Sequence, residues 1–267
     1  TGVEKEKFIF RGNRCNWSAF DRNKCDFAYG LTRTRALRKQ QLCAINLGRY
    51  REKMEERAID NKTTFIAIIM MASVVILSNV LVQFYLGAFL TYGAFTYPIA
   101  FLINDVVNKL EGPRRARQVI FWGFVVGVIC SLIGSQIEGE FGPLVTLRIA
   151  VGSGLAFLIA HFSDTYIFHF FRKLRWWVPP LVSSTIGSAL DTLIFFSIAF
   201  SATFVFIEPQ NDVAWANEAS ALLNFFPIDT PFWVSMAVAD FMVKLVLASL
   251  FLIPFRRIVL SARQINA

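Results

Sequence analysis

Residues 64–86 read TFIAIIMMASVVILSNVLVQFYL, a run without one charged side chain. A helix rises 1.5 Å per residue, so about 20 apolar residues span the roughly 30 Å hydrocarbon core of a bilayer. The run is long enough to cross, and comparable runs follow at 93–109, 118–137, 146–171, 181–207 and 232–255. A soluble core helix can show one such run, but not six in succession. Barrel strands are also a poor match, because they alternate in polarity over about ten residues. Composition agrees: 55% of the 267 residues are hydrophobic and 17% charged, against about 25% charged in soluble domains. The expected fold is an all-α integral membrane protein with six transmembrane helices.

The connections set the direction. Lys109, Arg114, Arg115 and Arg117 separate the second and third runs; Arg172, Lys173 and Arg175 separate the fourth and fifth; Arg256, Arg257 and Arg263 follow the sixth. The intervening segment 138–145 carries Glu138 and Glu140, and 208–231 carries Glu208, Asp212, Glu218 and Asp229, with no Lys or Arg in either. Basic connections stay in the cytoplasm, so the expected topology has both termini inside. The chain's excess of base then reflects an anionic leaflet and no nucleic-acid partner.

Fifteen of the 27 Lys and Arg fall in residues 1–62, which lack the apolar core of a secretory signal. This segment is expected to be a basic, disordered cytoplasmic extension, followed by a six-helix transporter domain at 63–260 and a cytoplasmic tail at 261–267. Met54 precedes the first apolar run by ten residues and is read as the natural start. Cys15, Cys25 and Cys43 lack metal-ligand spacing, and Cys130 lies in an apolar run; neither zinc, a disulfide nor any cofactor is expected.

Function is expected where polar groups sit inside the runs. These are Asp105, Asp164, Asp191, Asp240 and Lys244, with His161, Asn79, Asn104 and Asn108. An ionised side chain near the bilayer centre costs about 2.5–3.5 kcal/mol even on the lenient insertion scale, so such groups face each other, water or a ligand. Gly152, Ala156, Ala160 and Asp164 recur every four residues, three small side chains that permit close helix approach. His161 precedes Asp164 by three and is placed to share a proton with it. Ser184, Ser188, Asp191 and Thr192 lie on one helical face. Asp240 and Lys244 are i, i+4 neighbours able to pair. Pro98 interrupts the second run just before Asn104-Asp105, and a broken helix beside polar side chains points to a substrate site.

These residues resemble a known family, the queuosine precursor transporters, also called the vitamin uptake transporter family. The resemblance rests on Tyr97-Pro98 through Asn104-Asp105-Val106-Val107-Asn108, Gly112 and the Arg114–Arg117 cluster. It continues through Gly152-Ser153-Gly154-Leu155-Ala156 with Asp164 and Phe168, then Ser183-Ser184-Thr185, Gly187-Ser188, Asp191-Thr192 and Phe195-Phe196, and ends with Asp240, Lys244 and Pro254. It implies an inner-membrane carrier importing 7-deazaguanine bases, chiefly preQ0 and preQ1, for queuosine modification of tRNA. It also implies a fold similar to the vitamin-binding subunits of energy-coupling-factor transporters.

Such a base offers adjacent N–H donors that one carboxylate can accept as a pair. On that reading Asp105 or Asp191 reads the base edge, with Asn104, Asn108, Ser184 and Ser188 in the substrate site. His161, Asp164, Asp240 and Lys244 are then the proton relay or ion-pair set. Two alternatives are a substrate-binding subunit of a multi-component transporter and a carrier of another nucleobase-like solute. An enzyme is not expected, since HExxH, GxSxG and GxxxxGK[ST] are all missing from the chain.

Overall fold

The computed structural model describes residues 9–10, 13–14, 62–139 and 142–265. The chain forms two units, Thr1–Ile59 and Asp60–Ala267. In the first, the described residues form an antiparallel pair, Ile9–Phe10 with Asn13–Arg14. The expectation of disorder over the rest of 1–61, and the reading of Met54 as the start, lie outside the described residues.

The second unit is a helical bundle. Five helices are long and apolar enough to cross a membrane: α1 (Lys62–Leu81), α4 (Pro113–Gly134), α5 (Leu147–Phe171), α6 (Val178–Phe200) and α7, which runs over Phe232–Ile265. Between α1 and α4 stand α2 (Gly93–Thr96) and α3 (Pro98–Leu110). At thirteen residues, α3 is about 20 Å long and too short to cross alone. Tyr97 nevertheless keeps right-handed helical angles, and its N–H reaches the Gly93 carbonyl at 3.0 Å. The helical path therefore continues from 93 to 110, with a break in the ladder at Pro98, after which the Ala100 N–H reaches the Tyr97 carbonyl at 2.9 Å.

The expected boundaries shift at several ends. The first apolar run ends as helix at Leu81; Val82–Leu86 then turn into a hairpin pairing Tyr85–Leu86 with Leu90–Thr91. The fifth begins at Val178, because prolines in a first turn lack only N–H groups that would go unpaired there. It stops at Ser201, and Ala202–Ile207 continue as a 3-10 turn. The sixth passes through Pro254 and stays helical to Ile265, so residues 261–265, expected as tail, continue the helix.

The bundle is apolar outside and polar inside. Phe65, Ile69, Met70, Leu132, Leu193, Val246 and Leu250 are exposed, whereas Asn104, Asp105, His161, Asp164 and Asp191 are buried. That inversion suits a hydrocarbon surrounding, in which exposed apolar surface carries no penalty. Ala67, Met71 and Val75, one stripe of α1, pack on Ala100, Ile103 and Val107 of α3 and on Val119 and Ile120 of α4. The closest helix pair is α5 with α6. At Gly152 an added Cβ would lie 3.4 Å from Ile198, and at Gly187 it would lie 3.4 Å from the Ala160 carbonyl. The small-residue stripe of α5 thus faces α6 along its length.

The two ends differ in charge. Arg172 donates to the Lys109 carbonyl at 3.2 Å and Arg256 lies 4.8 Å over the Trp176 ring, gathering the basic connections at one end. At the other, Asn211 donates to Thr146 at 3.2 Å and Phe89 packs on Phe232. Glu208 accepts from the backbone N–H of Arg148 there, at 3.2 Å.

Candidate functional site

Four helical segments converge on two polar clusters, which lie about two turns apart along α6. At the first, Ser183 donates to Asp105 Oδ1 at 3.2 Å and Ser184 to Asp105 Oδ2 at 3.0 Å. Asn104, on the adjoining position of α3, turns to α5 and donates to Asp164 Oδ2 at 2.6 Å and to Thr165 Oγ1 at 3.0 Å. Asn108, one turn further, donates to the Thr165 carbonyl at 2.9 Å. Consecutive residues on a helix diverge by about 100°, so Asn104 and Asp105 serve different neighbours.

The second cluster centres on Lys244 of α7. Its ammonium lies 2.7 Å from Asp191, 2.5 Å from Asp240 and 3.1 Å from Thr192 Oγ1. Thr192 donates to Asp240 at 2.8 Å, and the Tyr97 hydroxyl donates to Asp191 at 3.2 Å. The ammonium also stands 5.6 Å from the centre of the Tyr97 ring. One cation between two carboxylates, with hydroxyls on the remaining lone pairs, is an arrangement that tolerates burial.

A crevice runs between α3, α6 and α7 beside both clusters. Pro98, Phe101 and Asp105 form one wall, Ser184 and Ser188 a second, and Lys244, Phe251 and Phe255 the third. Its volume is about 10 Å³, room for roughly one water molecule.

The expected site residues thus divide. Asp105, Ser184, Ser188 and Lys244 line the crevice, while Asn104 and Asn108 are spent on α5, and Asp191 and Asp240 on Lys244. His161 and Asp164 do not share the hydrogen bond their spacing suggested. The His161 ring is stacked on Phe101 at 4.3 Å and against Phe157 at 4.5 Å, and neither ring nitrogen has a partner.

Sequence reasoning passed over Ser183, Tyr97 and Arg148 as site or framework residues. Ser183 lies off the 184–188–191–192 face and is recruited because α3, as well as α5 and α7, packs on α6. Arg148 is fully buried near the start of α5, donating to the carbonyls of Ile198 at 3.1 Å and Ser201 at 2.6 Å. It caps the carbonyl end of α6, where a cation is favoured. A single Arg just inside an apolar run was the available signal.

Comparison with known proteins places this geometry. The Queuosine precursor transporter of Escherichia coli (strain K12) is 28% identical over 199 residues, covering 69% of this chain and 80% of that protein. The "Probable queuosine precursor transporter" of Haemophilus influenzae is 28% identical over 182 residues, covering 64% of this chain and 68% of its own. A protein of the same printed name in Bacillus subtilis is 28% identical over 134 residues, covering 43% and 58%. No solved structure matches. The family model described as "Putative vitamin uptake transporter" matches residues 91–259, from the strand before α2 almost to the end of α7. The match takes in every residue of both clusters and of the crevice, and the chain therefore belongs to the vitamin uptake transporter family.

Proposed function

We propose that this chain is an uptake transporter for queuosine precursors, the 7-deazaguanine bases preQ0 and preQ1, and that the crevice is its substrate site in a contracted state. The observation that carries the reading is Asp105. Two serine hydroxyls orient its carboxylate, one on each oxygen, at the wall of the crevice. A 7-deazaguanine presents a ring N–H and an exocyclic amine side by side, which a carboxylate so held accepts as a pair. Ser188 on the facing wall is a donor for the ring carbonyl, and Phe101 and Phe251 offer ring faces for stacking. A base lacking that edge would leave the carboxylate unmatched, which is where discrimination arises. The present volume excludes a base, so loading requires α7 to move away from α3 and α6.

The same reading makes residues 93–110 a sixth crossing, about 27 Å of helical path. The basic end and both termini then lie in the cytoplasm of a bacterial inner membrane. The similarity to vitamin-binding subunits of multi-component transporters is part of this reading, but uptake needs no partner subunit in it.

The test is expression in a bacterium that neither makes nor imports preQ0, also lacking any energising module, with each precursor supplied at low concentration. Queuosine should appear in its tRNA. Its failure to appear, with the protein folded in the membrane, would refute the assignment.

A further inference from the structure

Asp105 and Asp164 meet on one turn of α6. Ser183 donates to Asp105 at 3.2 Å, and a Cβ on Gly187 would lie 3.3 Å from Asp164 Cβ. Ser183 and Gly187 are one turn apart on α6, so the two carboxyls face the same stretch of that helix. Asp105 receives a hydroxyl on each oxygen, and Asp164 Oδ2 receives Asn104. Asp164 Oδ1 is fully buried and receives nothing.

No fixed cation answers this pair among the described residues. The buried faces of α1 and α4 carry no titratable side chain. The other interior groups are Tyr97 between α2 and α3, His161 on α5, Asp191 on α6, and Asp240 and Lys244 on α7. Lys244 has three ammonium protons and spends them on Asp191, Asp240 and Thr192. His161 stands between Phe101 and Phe157 and turns no ring N–H onto either carboxyl. Arg148 is bound to the end of α6. Two adjoining carboxylates with no cation beside them cannot both stay ionised in a dry interior.

We propose that Asp105 and Asp164 together hold one exchangeable proton, and that this proton is the ion carried inward with the substrate. The inference rests on the transport function proposed above. Asp105 lines the crevice and Asp164 stands behind it, so the pair can serve base and proton at once. When the N–H edge of the base takes Asp105, the proton ends on Asp164 Oδ1: the O–H bond to Asp105 breaks, one to Asp164 forms, and nothing is oxidised. Base and proton leave together while the site is open to water on the inner side, and a proton taken up from the outer side restores the pair.

The experiment uses the full chain in liposomes with labelled preQ0 and a clamped membrane potential. An acid-outside gradient should accumulate preQ0 above equilibrium and an inward sodium gradient should not. Adding preQ0 outside should acidify a pH dye trapped inside. Asp164→Asn should lose accumulation and acidification while counterflow stays measurable. In infrared spectra of the substrate-free protein, a protonated-carboxyl C=O band should be present in the wild type and lost in Asp164→Asn. Accumulation driven by sodium, accumulation retained in Asp164→Asn, or no such band in the wild type would each overturn the proposal. The band with no preQ0 counterflow would instead leave the proton site standing and remove the substrate assignment.

Discussion

Phe101 of α3 and Gly187 of α6 approach so closely that a Cβ on the glycine would stand 2.7 Å from the phenylalanine ring. Phe101 has nowhere to retreat, being 2% exposed and stacked on His161. Gly187→Ala should therefore destabilise the bundle by about 1–3 kcal/mol, the usual range for overpacking. A lower melting temperature of the detergent-solubilised protein is the readout, with partial recovery when Phe101→Leu is added. An unchanged melting temperature would mean that α3 and α6 are not in contact here.

Asp105 and Asp191 should separate functionally. Asp105→Asn removes an acceptor from the crevice wall and should lower preQ0 uptake about 10- to 100-fold, from roughly 1.5–3 kcal/mol per hydrogen bond to a charge. Asp191→Asn disturbs a carboxylate held by Lys244 and Tyr97, and its first symptom should be a smaller folded yield. Equal uptake by wild type and Asp105→Asn would remove Asp105 from the site.

Lys244→Met should be more damaging than loss of either carboxylate. It leaves Asp191 and Asp240 buried without their cation, a change worth about 3–5 kcal/mol. Monodisperse protein should nearly vanish in size-exclusion profiles. Adding Asp191→Asn and Asp240→Asn together should restore it, because this cluster then holds no buried charge. Failure of the triple variant to recover would show that Lys244 matters for something other than charge balance.

Arg148 should resist conservative replacement. Its Nε and Nη2 meet two different carbonyls at the end of α6, a fork that a lysine ammonium cannot reproduce. Arg148→Lys and Arg148→Ala should both lower thermal stability, by about 1–3 kcal/mol. A fully stable Arg148→Lys would contradict the capping role.

Labelling tests the orientation. In a background without Cys15, Cys25, Cys43 and Cys130, Phe225→Cys should react with an impermeant maleimide on intact cells, and Arg114→Cys only after permeabilisation. Phe225 is 88% exposed in the acidic-end hairpin. The reverse pattern would invert the proposed topology.

Long lipid-facing helices were readable because hydrocarbon demands an unbroken apolar run, and α1, α4, α5, α6 and α7 each supply one. Their ends were less readable. Val82–Leu86 and Ala202–Ile207 are as apolar as the helices before them, yet the backbone changes its hydrogen bonding there, and hydropathy does not register that. Within the site, the spacing of Asp240 and Lys244 is enough to bring them together, and the polar face of α6 follows from its periodicity. What spacing within one helix cannot reveal is convergence between helices. Asp191 meets Lys244 across 53 positions, and Asp105 meets Ser183 across 78. The stripe through Asp164 pointed at a partner helix without saying which one, or that Asn104 would reach it before His161.

The close fit of α5 on α6 has a mechanical consequence. Helices joined through glycine and alanine touch backbone to backbone, and such a joint has few side chains whose rotation could let it slide. α7 meets the crevice through Phe251, Leu252 and Phe255, long side chains that can re-seat. In the loading movement proposed above, the pair α5–α6 is the stator and α7 the moving arm, so that space for a passenger opens by a swing on one side while the opposite wall holds still.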